Sequence, residues 1–179
     1  MKLRKNSLII LVLLVVLAMS LVGTLFAYMY KQTEPVTNTF VPAIVDCAVE
    51  EIFDGSVKSS IKVKNSGNIN AYLRVRLVSY WINEEEQIMP IASQMPSFTA
   101  NANWIKIGED TYYYTAPVAP NEVTPEDLLG TPMTLGTSAE GYLQVVEVFA
   151  EAIQAMPTAA VEEAWPVSVN TDGTLRSKS

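Results

Sequence analysis

An uncharged, apolar run near the N-terminus is the feature that most limits how this chain of 179 residues can fold. Three basic residues stand within the first five positions, and no further charged side chain appears until Lys31. A basic start, an apolar stretch over 8–22 and small residues after it are typical of a secretory signal peptide. We therefore expect residues 1–27 to be a signal segment and the fold to be built from the remainder.

The signal cleavage site is predicted between Ala27 and Tyr28. The alternative is a retained membrane anchor, because the uncharged stretch from Asn6 to Tyr30 is long enough, as a helix, to cross the ~30 Å hydrocarbon core of a bilayer. In both cases the basic start favours a cytoplasmic N-terminus, so that the rest of the chain is exported. We expect an extracellular or cell-surface location, a signal peptidase as the partner during export, and membrane contact only through this segment.

The composition excludes several classes of function. The absence of histidine excludes a Ser-His-Asp triad, a zinc-binding HExxH helix and an imidazole general base. The one cysteine, Cys47, cannot close an internal disulfide and is expected to behave as a small apolar residue. Removing residues 1–27 takes the net charge from −7 to −10, which argues against nucleic acid as a partner. We expect no enzyme activity, cofactor or dedicated metal site; the run Glu84–Glu86 is expected to be a solvated acidic loop that divalent cations could bridge.

The rest of the chain has the pattern of short strands. Residues 28–39 contain Pro35 and several threonines and are expected to form an extended arm, residues 40–172 a folded domain, and residues 173–179 a polar tail. Two neighbouring segments alternate apolar and basic side chains, which predicts strands with one buried face. The apolar set is Ile61, Val63, Leu73, Val75 and Leu77, and the basic set is Lys62, Lys64, Arg74 and Arg76.

Further elements follow from turn residues and prolines. A hairpin is predicted from Trp104–Ile107 and Tyr112–Thr115, and the apolar segment Tyr142–Ile153 is predicted as a strand whose end, 150–155, suits a helix equally well by propensity. A short helix is expected over Ala159–Trp165, followed by a strand over Val167–Val169. Many short strands without a long amphipathic helix indicate an all-β, antiparallel sandwich.

Several short motifs occur in an order that points to a family. They are Gly23–Tyr28, Val36–Phe40, Val63–Asn68 followed by Ala71–Val75, Tyr112–Tyr114, and Ala150–Ala155 before Trp165. Together they resemble the TasA/camelysin-like family of exported Gram-positive proteins, whose signal peptides are removed by a SipW-type signal peptidase. The resemblance runs from about Gly23 to Trp165. It implies a jelly-roll sandwich and, as in the best-known members, assembly into fibres of the biofilm matrix.

Two positions depart from the family pattern. Asn121 stands where glycine is expected after Pro120, and asparagine tolerates the left-handed backbone that such a turn requires. The segment Ala155–Pro157 replaces a polar turn of the Asp-Gly type.

A physical mechanism for assembly follows from the predicted sandwich. An open sheet has edge strands with unpaired N–H and C=O groups, which a protein must cover, charge or use. We predict that the arm adds as a strand to the sheet edge of the next subunit, giving an open filament. The candidate donor strand is Val36, Thr37, Asn38, Thr39 and Phe40, with Val36 and Phe40 as anchors. The alternative is that the arm is a linker or a first strand of its own domain.

Two other classes of function are kept as alternatives. A membrane-tethered, ligand-binding module would use exposed aromatic residues, although core packing is the simpler interpretation of Trp81, Trp104, Trp165 and the tyrosines. Arg74 and Arg76 suit an anionic polymer or, more simply, surface ion pairs. A camelysin-type metalloprotease would need metal-binding histidines that this chain lacks. The prediction is an exported structural or adhesive protein of the cell surface or biofilm matrix.

Overall fold

The computed structural model describes residues 5–31 and 41–178, with side chains over 7–23 and 41–178. The chain divides into two units, Met1–Val41 and Pro42–Ser179. The first contains helix α1, Lys5–Lys31, in which the predicted cleavage residues Ala27 and Tyr28 lie. Among the described residues, no helix combines the length and the apolar character needed to cross a membrane.

Apart from one short helix, the regular elements of the described part of the second unit are strands. In chain order its elements are β1 (Cys47–Phe53), β2 (Val57–Asn65), β3 (Ala71–Ile82), β4 (Ile88–Met89), β5 (Trp104–Lys106), β6 (Thr111–Tyr114), β7 (Met133–Thr134), β8 (Leu143–Gln154), α2 (Thr158–Ala164), β9 (Val167–Val169) and β10 (Leu175–Ser177). Every strand pair is antiparallel. The expected all-β, antiparallel class is confirmed at this level.

The strands form three sheets. One has the order β1-β2-β7, and a two-stranded ribbon joins β9 to β10. The largest sheet is centred on β3, which pairs with β8 along its whole length. Its opposite edge pairs with β6 and then with β4, while β5 lies outside β6. The long strand β3 is therefore the central strand of this largest sheet.

The predicted alternation in β2 and β3 is confirmed, and it places the main hydrophobic core. Ile61, Val63, Leu73 and Val75 are completely buried. They belong to one cluster with Trp104, Tyr112, Tyr114, Met133 and Val146, so both larger sheets contribute to the same core. Removing such side chains from water is the main stabilising contribution to the fold.

A second cluster covers the start of β3 on its opposite face. It contains Tyr72 of β3, Tyr113 of β6, Val161 of α2, Trp165 directly after α2, and Leu175 of β10. The rings of Tyr113 and Trp165 meet edge to face at 5.4 Å. Because this cluster stands over β3, the basic face predicted from Arg74 and Arg76 is only partly open to solvent.

Two predictions near the C-terminus need correction. Residues 173–179 were expected to be a polar tail, but Leu175–Ser177 forms β10 and pairs with β9. The reason is Leu175, an isolated apolar residue that is buried in the second cluster. The ambiguous segment 150–155 is strand to Gln154, because it pairs with β3 from Ala71 onward and pairing overrides helix propensity.

The turn after β2 is fixed by a buried amide. Asn65 Nδ2 donates to the carbonyl oxygens of Ile69 at 2.8 Å and Val118 at 2.9 Å, and its Oδ1 accepts from Gly67 N at 3.0 Å. A Cβ at Gly67 would lie 2.3 Å from the carbonyl oxygen of Ile44, so only glycine fits there. The left-handed backbone expected of Asn121 is present, with φ of 63°.

Candidate functional site: two open strand edges

Among the residues that the structure describes, no strand pairs with the outer edge of β8. Its inner edge pairs with β3 from Leu143 to Gln154. On the outer edge, a bridge joins Leu143 to Thr137, and Gln144 N donates to the Gly136 oxygen at 3.0 Å. From Val145 onward this edge has no backbone partner within the described chain. An open strand edge of this length is a template for pairing with another strand.

Strand β1 is open in the same way. It pairs with β2 from Cys47 to Phe53, with a register shift between Ile52 and Phe53. No strand of the described part of the chain pairs with its other edge. Asp54 holds the following turn, since its Oδ1 accepts from Ser56 N at 2.9 Å and Val57 N at 2.7 Å. These bonds lower the pKa of Asp54.

A groove lies between these two strands, which belong to different sheets but contact each other. We call it the edge groove. Its volume is about 370 Å³, and its lining residues are Val49, Glu51, Tyr80, Val145, Val146, Glu147 and Val148. The valines give it an apolar floor, and carboxylates stand on each side. Such a groove can accept an extended segment that pairs through its backbone and packs apolar side chains against the valines.

The carboxylates of the edge groove have partners on their own sheets. Lys58 Nζ lies 2.7 Å from Glu51 Oε2, and the Lys58 side chain is almost buried. Tyr80 Oη lies 3.4 Å from Glu147 Oε2, and burial together with this carboxylate raises the pKa of Tyr80. Charged side chains along an open edge are a common protection against unspecific pairing. The edge groove is therefore open to a strand, while its charged side chains disfavour unspecific pairing.

The outer edge of β2, in contrast, is closed by residues 121–129, which we call the closing loop. Its backbone groups bond to Asn65, Val63 and Ile61 at 2.8 to 2.9 Å. Two side chains complete the pattern: Thr124 Oγ1 accepts from Val63 N at 3.2 Å, and Asp127 Oδ1 accepts from Ile61 N at 2.9 Å. Pro125 keeps this segment from being a regular strand, because proline has no N–H to donate.

The predicted donor residues Val36, Thr37, Asn38, Thr39 and Phe40 lie outside the described residues, so their positions are not assigned. The edge groove that would receive them was not identified from the sequence. A signal for it does exist: in β8, Glu147 and Glu151, four positions apart and therefore on the same face of the strand, interrupt a mainly apolar run. Regular charges on an apolar strand are typical of an exposed edge.

Other residues singled out by the sequence have structural roles. Trp104, Trp165 and the tyrosines at 72, 112, 113 and 114 are buried in the two cores. Arg74 pairs with Glu151 at 2.6 Å, and its guanidinium carbon lies 5.0 Å from the Trp165 ring centre, so this side chain is engaged within its own domain. Burial and the carboxylates of Asp46 and Glu151 raise the pKa of the Cys47 thiol, which lowers the fraction present as the nucleophilic thiolate.

The described residues include no group of three or more side chains that could hold a metal ion. Glu147 and Glu151 are engaged with Tyr80 and Arg74 respectively. Comparison with protein-family models, with curated proteins and with solved structures found no match to this chain.

Proposed function

We propose that this chain is an exported structural or adhesive protein of the cell surface or biofilm matrix, and that it assembles by strand addition at the edge groove. The observation that carries the proposal is the pair of open edges on β1 and β8, in a domain that closes the edge of β2. The resemblance to the TasA/camelysin-like family supports the same function and a jelly-roll-like sandwich. The absence of histidine favours a function that depends on contact surfaces rather than on catalysis.

The export step of the proposal depends on the N-terminal segment. Its basic start and apolar run are those of a signal peptide, and a SipW-type signal peptidase would cleave after Ala27. The protein, expressed in a Gram-positive host with such a peptidase, should appear in the medium with Tyr28 as its first residue. N-terminal sequencing checks this. A cell-bound protein that begins at Met1 would contradict cleavage and support the membrane-tethered alternative.

The donor in this proposal is the segment Val36–Phe40. Alternate residues of a strand point to one face, so Val36, Asn38 and Phe40 would share a side and could pack on the valines of the groove. A five-residue strand spans about 16 Å, which matches part of the seven-residue β1. The segment carries no charge and so is not repelled by Glu51 and Glu147.

Two variants test the donor and the acceptor separately. Deleting residues 32–39 should abolish high-mass assemblies of the secreted protein, measured by light scattering and electron microscopy. A Gly/Ser segment of the same length is the matched control for chain length, and it should also fail to assemble. Assembly of the deletion variant at the wild-type concentration would reject strand donation.

The acceptor is tested with Val145→Lys, which replaces an apolar side chain of the groove lining by a long, charged one. We expect loss of assembly with a change in unfolding free energy of less than about 1 kcal/mol, because Val145 is only half-buried. The control is Thr134→Lys, an exposed strand position in β7 that is not part of the groove lining. Assembly should survive in the control. Equal loss in both variants would indicate a general charge effect and contradict the groove as the acceptor.

A further inference from the structure

A row of exposed apolar side chains lies at one end of the largest sheet. Ile82 of β3 is directly opposite Ile88 of β4 on one side and Leu143 of β8 on the other. Opposed residues of an antiparallel pair project from the same face, so these three side chains form a row across three strands. Ile88 is 68% exposed and Leu143 is 55% exposed. Together with the next opposed pair on this face, the half-buried Tyr80 and Val145, we call them the open face.

The same face of β3 is covered by a helix at its other end. Tyr72 lies an even number of positions before Ile82, so both side chains point to the same side of the strand. Tyr72 is buried with Val161 of α2 and with Trp165 in the second cluster. Contiguous apolar surface that stays exposed, as on the open face, is typical of an interaction site. The open face is therefore the uncovered end of a surface that elsewhere in this domain packs against a helix.

Carboxylates border the end of the open face. Glu84–Glu86 lie in the turn between β3 and β4, and Glu140 lies in the turn just before β8. Their carboxylates make no hydrogen bond or ion pair within the described chain. No lysine or arginine occurs between Arg76 and Lys106 or between Lys106 and Arg176, so neither turn carries a positive charge of its own. A complementary occupant would therefore offer apolar side chains to the row and positive charges to its border.

The strand pairing at this row favours a helix over an extended peptide. At Ile82, β3 is flanked by β4 and β8 and so has no free edge to which a strand could add. The bridge between Leu143 and Thr137 closes the outer side of β8 at the same level. An occupant of the open face must therefore bind through side chains, which is how a helix binds, because its backbone groups are bonded internally. The diameter of a helix, about 10 Å, also matches the width of three strands.

A membrane surface is the other kind of partner that exposed apolar side chains can meet. Anionic lipids would repel the carboxylates that border the open face, and burying an unpaired carboxylate among lipid tails costs free energy. A cationic helix avoids both costs and gains from the opposite charges. We propose that the open face docks a cationic amphipathic helix of a partner protein. This interaction goes beyond the proposed function, because it uses the face of the sheet and does not require strand donation at an edge.

This proposal is tested by the fluorescence anisotropy of labelled peptides titrated with the full-length protein, kept soluble in a non-ionic amphipol. The probe is an amphipathic helix of leucine and lysine, about 14 residues and therefore about 21 Å long. Two control peptides keep the leucines and replace every lysine by glutamine or by glutamate, and a titration with the amphipol alone gives the signal to be subtracted. We expect saturable binding of the lysine peptide, about tenfold or more tighter than that of either control and weaker as salt is raised.

Substitutions assign the binding to the open face. Ile88→Thr should weaken binding of the lysine peptide about three- to tenfold, because it removes apolar surface from the row. Ile88 is largely exposed, so the variant should keep the wild-type unfolding midpoint. The matched control is Ile52→Thr, the same substitution at a strand isoleucine that is 64% exposed on β1, and it should leave the affinity unchanged.

The bordering charges are tested with a triple variant in which glutamine replaces Glu84, Glu85 and Glu86. It should weaken binding about tenfold and reduce the dependence on salt. A control with the same net charge replaces three exposed glutamates elsewhere in the domain: Glu50, Glu109 and Glu163. It should keep the wild-type affinity to within about twofold. The proposal is overturned if the lysine peptide shows no saturable binding, if either control peptide binds equally well, or if each open-face variant loses no more affinity than its matched control.

Discussion

The outer edge of β2 differs from the outer edges of β1 and β8 in whether its backbone N–H and C=O groups have hydrogen-bond partners. Along β2, the closing loop satisfies the backbone groups of Ile61, Val63 and Asn65 without being a strand itself. Along β1 and β8, most backbone groups on the outer edges have no partner in the described structure. Since buried backbone groups must be paired and exposed ones need not be, the closed edge contributes to stability. The open edges remain available for binding.

The largest effect on the unfolding free energy is expected from substituting Asp127 in the closing loop. Its Oδ1 accepts from Ile61 N at 2.9 Å and from Leu129 N at 2.8 Å, and its Oδ2 bonds to the Ser60 hydroxyl. Asp127→Ala leaves two buried N–H groups unpaired and should lower the unfolding free energy by about 3 kcal/mol. Urea denaturation measures this. The control, Asp127→Asn, keeps an acceptor oxygen and should lower the unfolding free energy less. A decrease below about 0.5 kcal/mol in Asp127→Ala would contradict this role of the closing loop.

A smaller loss is expected at Thr124, which is completely buried in the same loop. Thr124→Val keeps the shape of the side chain but removes the acceptor for Val63 N. The unfolding free energy should fall by about 1–2 kcal/mol. Thr124→Ser retains the hydroxyl and serves as the control. The serine variant should therefore lose only the packing of one methyl group, and a valine variant as stable as the wild type would contradict a stabilising role of the hydrogen bond.

A pH-dependent effect is expected where the closing loop meets β6. Tyr114 Oη donates to the Glu126 carboxylate, and burial together with this bond raises the pKa of Tyr114 to about 12. An unfolded tyrosine has a pKa of about 10. The folded state therefore favours the protonated Tyr114, and this contribution to stability is complete below pH 10 and is lost as the pH rises toward 12.

Tyr114→Phe removes this titration and isolates its contribution. The urea midpoint of the wild type should fall more steeply between pH 10 and pH 12 than that of the variant. Lysine titration affects both proteins equally and cancels in the difference. Parallel curves would show that Tyr114 does not couple the closing loop to pH.

The smallest effect on the unfolding free energy is expected from a substitution on the open edge of β1. Ile52 is 64% exposed although it is a large apolar residue in a strand. Ile52→Thr keeps the β-branched shape that suits a strand and should change the unfolding free energy by less than about 0.5 kcal/mol. Thermal and urea denaturation check this. A loss comparable to that of Thr124→Val would show that the open edge is as important to stability as the closed one.

The sequence predicted most of the elements that depend on local pattern. The alternation of Ile61 and Val63 with lysines gave the correct buried face of β2, and the Trp104–Thr115 region forms the predicted hairpin. The short helix near Trp165 and the strand Val167–Val169 are also confirmed. Each of these is specified within a few residues by alternation, turn residues or a proline that ends a helix.

The elements that were missed depend on partners far away in the chain. β10 exists because Leu175 reaches a cluster built from residues near 72, 113 and 165. The buried amide of Gln144 likewise bonds to Ser79, Ser93 and the Gln94 oxygen, about 50 to 65 positions away. No local pattern contains such information.

By itself, the sequence determined the apolar N-terminal segment, the strand-rich class and the faces of the central strands, because these follow from the periodicity and hydrophobicity of neighbouring residues. The sequence also contains no histidine, so no imidazole can act as a base or a metal ligand. Only the tertiary structure decided which strand edges are open and which are closed. Whether an edge is open depends on which distant segment of the chain pairs with it, and that pairing is established only when the sheets pack together.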